Sequence, residues 1–286
     1  MAVNTITAAQ LRGAGILNGF IVPAGGSNNL LLDSYPNAAV AYSLRKLSST
    51  YSGNAIRVRR SSDNTEQNIG FVNNVLDTAS LLTFCGAGNG RITTWYDQSG
   101  NVKDAIQATA TAQPIIVSSG NLVLSNGKVA VLGDGVDDTL LNATLSLSNP
   151  TSIFTVVDKG GTSGNFGLFN NLNNLAGAFT LTLNGYNFYQ NGASQTPVYA
   201  NNNQSLLVAK TSTTGTDWEF YGNNTAITGV QNIGTAIGTG VSLFDRNGGS
   251  SRVNMYMQEY IVWNSDQMAN RAGIQTEINT YYNIYP

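Results

Sequence analysis

The run Arg91-Ile92-Thr93-Thr94-Trp95-Tyr96-Asp97-Gln98-Ser99-Gly100-Asn101 sets two aromatics, a carboxylate and an amide at consecutive positions. An aromatic ring offers its face to the C–H side of a sugar, while carboxylate and amide groups bond its hydroxyls. The chemistry available to Trp95, Tyr96, Asp97 and Gln98 is therefore carbohydrate recognition. The same four residues also suit a buried strand end closed by a side-chain-capped turn. Asp134, Asp137 and Asp138 gather hard oxygen ligands and are the calcium candidates. Their spacing lacks the longer ligand series of a dedicated calcium loop, and the alternative is a polar turn held by side-chain-to-backbone bonds. No cofactor is expected.

What is missing narrows the chemistry further. The chain has no histidine, which excludes Ser-His-Asp and Cys-His catalysis and His-ligated metals. Its single cysteine, Cys85, excludes an internal disulfide and a thiolate zinc cluster. Carboxylates remain as acid–base machinery, so sugar hydrolysis is the natural enzyme class to weigh.

The elements that must position these groups read as strands. Arg91 to Trp95 alternates and is rich in β-branched and aromatic residues. Only 10% of the 286 residues are charged, against a usual figure of about 25%, and 31 are glycine. That composition suits short strands joined by tight turns. Asn126-Gly127 and Asn184-Gly185 mark two-residue hairpins. Strands are expected at 55–60, 121–125, 128–132, 152–158, 179–183, 186–189, 205–209, 218–221, 241–244 and 253–263. Trp218 and Trp263 read as core residues.

Three helices are expected. The first spans about 36–50, with Pro36 in its first turn and Val40, Leu44, Leu47 and Tyr51 at helical spacing. The second runs from Thr78 to Cys85, capped by Asp77 and closed by Gly86. The third covers about 265–282, with Met268, Ala272, Ile274, Ile278 and Tyr281 on one face. Arg45, Lys46, Arg57, Arg59 and Arg60 make one region locally positive, read as a solvated face, with a phosphate or acidic-glycan contact as the alternative. A net charge of −2 argues against general nucleic-acid binding. The start lacks a basic segment followed by an apolar run, so no signal peptide is expected, and no apolar window is long enough for a membrane span.

Several segments carry a resemblance. Ala41-Tyr42-Ser43-Leu44-Arg45-Lys46-Leu47, Tyr51-Ser52-Gly53, Val58-Arg59-Arg60-Ser61-Ser62-Asp63-Asn64, Thr83-Phe84-Cys85 and Tyr96-Asp97-Gln98-Ser99-Gly100-Asn101 resemble the opening of the catalytic domain of fungal-type α-L-arabinofuranosidases. Leu132-Gly133-Asp134-Gly135-Val136-Asp137-Asp138 resembles a signature of laminin-G-like and concanavalin-like modules. The tail from Met257-Gln258-Glu259-Tyr260-Ile261-Val262 to Tyr281-Tyr282 is similar to the ending of concanavalin-like domains in bacteriophage virion proteins. These resemblances imply an all-β fold, a concanavalin A-like antiparallel β-sandwich (jelly roll) with a few peripheral short helices. They cover residues 34–286 and leave 1–33 as an N-terminal attachment arm.

The resemblance also implies a site. The family's nucleophile, a Glu, lies in the region matching Phe179–Tyr189, which contains no acid, and no Asp or Glu occurs from Lys159 to Thr216. The family's acid matches Asp245 within Ser242-Leu243-Phe244-Asp245-Arg246-Asn247-Gly248. The expected candidate site is thus Trp95, Tyr96, Asp97, Gln98, Asp245 and Asn247, binding sugar without turnover. The function this predicts is a phage virion structural protein, in a capsid decoration, fibre or tail, presenting a non-catalytic lectin-like domain. Its expected partners are host surface glycans, other virion proteins through the arm, and further copies of itself, with no nucleic acid and no membrane insertion. A structural cement protein and an active α-L-arabinofuranosidase are the alternatives.

Overall fold

The computed structural model describes residues 15–17, 20–22, 30–159, 164–171, 174–182, 185–189, 199–201, 203–228, 239–246 and 251–286. Its principal strands, in chain order, are β1 (Ala38–Ser43), β2 (Ile56–Arg60), β3 (Glu66–Ile69), β4 (Gly90–Trp95), β5 (Ala105–Ile106), β6 (Ile115–Ser118), β7 (Val131–Asp134) and β8 (Leu140–Ser146). They continue with β9 (Ser152–Lys159), β10 (Gly164–Asn171), β11 (Asn174–Thr182), β12 (Gly185–Tyr189), β13 (Ser205–Lys210), β14 (Glu219–Gly222), β15 (Thr239–Leu243) and β16 (Asn254–Trp263). Helices are few: α1 (Leu31–Ser34), α2 (Thr78–Cys85) and α3 (Arg271–Tyr282). The chain is mostly β, and every strand pairing described is antiparallel.

One large sheet runs in the order β14-β13-β9-β16-β7-β6-β4-β5-β8-β15. Its spine is the ten-residue β16. One edge of β16 bonds β9 along most of its length; the other bonds β7 through residues 254–257 and β1 through 259–263. β2 joins β4 and carries β3 on its other edge, while β10, β11 and β12 form a separate three-stranded sheet. The sheet folds back on itself. Ile56 and Val58 of β2, Ile92 and Trp95 of β4 and Leu140 of β8 share one core with Val40 and Tyr42 of β1, Ile153 of β9 and Tyr260 and Val262 of β16. Tyr42 bridges the halves, its ring 6.2 Å from Trp95 and 6.3 Å from Tyr260.

A second core covers the other face of β9, β13 and β16. There Phe154, Val156, Leu206, Val208, Ile261 and Trp263 meet Ile274, Ile278 and Tyr282 of α3. Such side chains contribute about 1.5–3 kcal/mol each when fully buried, which is what holds this amphipathic helix to the sheet. α3 starts later than expected because Ser152 ties down the preceding turn: its Oγ donates to Ser265 O and accepts from Gln267 N.

The expected helix at 36–50 is instead strand β1. Val40 and Tyr42 face the main core and Ala41 the second, so the segment is buried on both sides and loses its alternation. The apparent helical spacing arises from apolar demands on two faces. α2 forms where expected, with the Asp77 carboxylate accepting from Ser80 N and Gly86 closing it at φ 57°. Asn126 (φ 47°) and Gly127 (φ 71°) make the expected hairpin turn, since a tight two-residue link requires positive φ at both positions. The other hairpin joins β11 to β12, its turn residues 183–184 lying outside the described residues. Most of the proposed arm, 1–33, also lies outside them; Gly15–Leu17 pairs with Phe20–Val22.

A buried ion pair crosses β1 and β16. Arg45 donates to both oxygens of Glu259 (2.8 and 3.0 Å), Ser43 Oγ donates to the same carboxylate, and the Tyr281 ring lies 5.2 Å from the guanidinium. Glu259 is fully buried and the Arg45 side chain 7% exposed. Removing Glu259 leaves Arg45 only the more exposed and more distant Glu277, at 3.6 Å, as a partner. Glu259→Ala should therefore cost about 3–5 kcal/mol in urea unfolding; a loss below about 1 kcal/mol would show that Arg45 finds another partner.

Candidate functional site

The strand end at Trp95 is a structural clamp. Trp95 is fully buried and cannot present its face to a ligand. The Asp97 carboxylate accepts from Ala41 N (2.8 Å), Ser99 N (2.9 Å), Ser99 Oγ (2.7 Å) and Lys103 N (3.1 Å). Gln98 accepts from Leu47 N (2.8 Å) and donates to Ser43 O and Arg45 O (3.0 Å each). The polar groups expected to meet a sugar are spent on the backbone of β1 and the segment after it. Tyr96 lies nearer the surface and donates to Asn68 Oδ1 at 2.8 Å.

Asp245 lies at the opposite end of the sheet. The register sets Thr94 beside Ile106, Ile106 beside Leu141 and Leu141 beside Ser242, one row across four strands. Asp97 follows that row by three residues in one direction and Asp245 by three in the other. At about 3.3 Å per residue they are separated by roughly 20 Å along the strands, so the expected constellation does not assemble. Asn247 lies outside the described residues.

A different set gathers around Asp245. Phe244 has a left-handed backbone (φ 66°) and packs over Gly133, where a Cβ would sit 2.7 Å from its ring. This kink directs the fully buried Asp245 into a short ladder with Arg252. Counting back from the Leu140–Leu243 pair brings Asp138 level with Asp245. Thr139 Oγ1 and Ser242 Oγ, 3.0 Å apart, tie the two strands together there.

Asp138 is 1% exposed. Its Oδ2 accepts from Asp134 N at 3.0 Å, and its Oδ1 faces Arg91 Nη1 at 3.8 Å. Burial, reinforced by the neighbouring Asp134 charge, pushes the Asp138 carboxyl up to about 6, with Arg91 opposing only in part. Arg91 is steadied by donating to Gln113 O at 2.7 Å. Gln113 in turn accepts from Arg59 Nε at 2.6 Å. A carboxyl titrating near 6 is suited to proton transfer. The Asp-Gly-Val-Asp-Asp run marked these acids in the sequence, but only the fold shows which of them is buried.

Asp134, Asp137 and Asp138 do cluster, with one carboxylate oxygen from each within 4.8 Å of the others. Asp134 Oδ1 accepts from Val136 N and Asp137 N, so side-chain-to-backbone bonds account for the turn. In the basic region Arg45 and Arg59 are buried, while Lys46, Arg57 and Arg60 are partly exposed. Arg45 pairs with Glu259, Arg57 with Glu66 and Arg60 with Asp63, while Arg59 donates to Gln113, Asn64 and Ala110.

Residues 33–135 match the family model described as Alpha-L-arabinofuranosidase B, catalytic. The fold is similar to that of an arabinofuranosidase complexed with arabinofuranosyl-α-1,2-xylobiose, at 18% identity and a TM-score of 0.63. It is also similar to a GH54 α-L-arabinofuranosidase soaked with a cyclic sulfate inhibitor, at 18% identity and a TM-score of 0.62. A Glu-to-Gln mutant of a GH54 α-L-arabinofuranosidase, soaked with 4-nitrophenyl α-L-arabinofuranoside, aligns at 17% identity and a TM-score of 0.63. Each alignment covers 84% of this chain but 62% of the other, so the chain spans less than two thirds of those proteins. No curated protein matches the sequence.

These matches support the arabinofuranosidase-like opening and correct the functional expectation. The family model is that of a catalytic domain and the solved structures are arabinofuranosidases, which points to a glycoside hydrolase. The expectations of a phage virion protein, of a place in a virion and of a non-enzyme are overturned.

The raised Asp138 titration has a consequence for stability. The folded state holds this proton more tightly than the unfolded chain, so the group's stabilising contribution is complete below about pH 4 and is lost as pH rises through about 6. Asp138→Asn cannot ionise. Urea unfolding from pH 4 to 7 should show wild type losing stability relative to the variant, and parallel curves would show that Asp138 is solvated.

Proposed function

We propose that this chain is a glycoside hydrolase acting on α-L-arabinofuranosides, built on a concanavalin A-like β-sandwich, with Asp245 and Asp138 as its acid–base pair. The observations that support the reading are a fold shared with arabinofuranosidases and two acids, Asp245 and Asp138, that follow and precede the Leu243–Leu140 pair at one strand end, the second with its carboxyl pushed up to about 6. Asp245, the residue matching the family's acid, protonates the departing glycosidic oxygen. Asp138, beside Arg91, takes the proton from a water that attacks the anomeric carbon.

Direct attack by water follows from the composition of the neighbouring strands. From Lys159 to Thr216 there is neither Asp nor Glu, so β10, β11 and β12 offer no carboxylate nucleophile for a double displacement. Without that nucleophile the second carboxyl serves as general base, and direct attack by water gives inversion at the anomeric carbon.

The test is turnover of 4-nitrophenyl α-L-arabinofuranoside with the anomer of the first product read by NMR. The expected result is release with inversion, falling by about 100-fold or more in Asp245→Asn and in Asp138→Asn. Release no faster than the buffer rate, or rates unchanged in both variants, would overturn the proposal.

A further inference from the structure

The geometry points to a second carbohydrate site, for an acidic sugar, at the end of the sheet opposite Asp245. A cavity of about 510 Å³ opens there, bounded by Asn37, Ser99, Asn101, Lys103, Thr144 and Asn264. A second cavity of about 430 Å³ adjoins it, sharing Asn37, Ala38 and Ser99 and reaching Tyr51. Both volumes fall in the range of ligand pockets, about 300–1,000 Å³.

The walls define the chemistry of the ligand. Among the described residues, Lys103 is the one charged residue lining either cavity. Among the described residues it makes no ion pair, and its ammonium donates only to Thr144 O and Thr144 Oγ1, at 3.3 Å each. An ammonium has three protons, so capacity remains for a carboxylate. The other polar groups are neutral hydroxyls and amides, matched to sugar hydroxyls. They are also held in place. Asn101 Nδ2 donates to Ala38 O (2.9 Å) and Ala39 O (3.1 Å), and the Asp97 carboxylate fixes Ser99 and the Lys103 backbone. A site whose groups are already ordered loses little entropy on binding. A lone cation among neutral hydrogen-bonding groups selects a uronic acid residue, its carboxylate on Lys103 and its neighbouring sugar extending toward Tyr51.

This assignment also accounts for the Tyr96–Asn101 segment. Its buried members clamp β1, and Ser99 and Asn101, beyond the clamp, form one wall of the cavity.

Isothermal titration of the full chain with a glucuronyl-xylose disaccharide, and with the same disaccharide after reduction of its carboxyl group, tests the inference. The acidic form should bind about tenfold tighter, Lys103→Ala should erase that difference, and Lys103→Arg should keep most of it. The preference should weaken as salt is raised. Equal binding of the two forms, wild-type behaviour of Lys103→Ala, displacement by sulfate as effective as by glucuronate, or no binding at about 10 mM would each overturn it. The readout is binding, so failure of the hydrolase reading leaves this result intact.

Discussion

A ten-residue strand buried on both faces organises this molecule. β16 cannot be satisfied by one layer: its Tyr260 and Val262 need the opposite half of the sheet, and its Ile261 and Trp263 need α3. The sheet must therefore fold over one side and the C-terminal helix must close the other. Glu259 sits in the middle of this strand, where a bare carboxylate would be prohibitive, and Arg45 reaches in from beyond β1 to neutralise it. Tyr281 and Tyr282 of α3 stack beside that guanidinium, so strand, loop and helix are locked by one charge pair.

The two ends of the sheet divide the labour. At the Trp95 end, side chains that look suited to ligands are turned inward: Asp97 and Gln98 satisfy backbone groups that the β1 segment cannot pair within a ladder. At the Asp245 end the backbone is kinked at Phe244, and burial beside the Asp134 charge shifts Asp138 toward neutrality. Shifted carboxyls of this kind concentrate where proton transfer occurs.

The strands that carry no carboxylate still serve the fold. The stretch from Lys159 to Thr216 supplies strands and hydrophobic cover, such as Tyr186 and Phe188 packed into the main core, and no carboxylate. In the proposed hydrolase, acid–base work falls instead to Asp245, at the end of β15, and Asp138, in the turn before β8.

The sequence by itself determined the β character of the chain, the Asn126-Gly127 hairpin, α2 with its Asp77 cap, and the clustering of acids at 134–138. Each depends on local chemistry: strand-forming side chains, φ > 0 tolerance, a capping carboxylate, spacing of a few residues. Tertiary structure decided the rest. Whether 38–43 was strand or helix turned on burial of both its faces, which local spacing cannot distinguish from a helical stripe. Whether Asp97 served a ligand or the backbone turned on Ala41 N arriving from 56 positions away. And Asp138, one of three acids in a turn in the sequence, stood out as the buried one only once the fold set it against Asp134 N and Arg91.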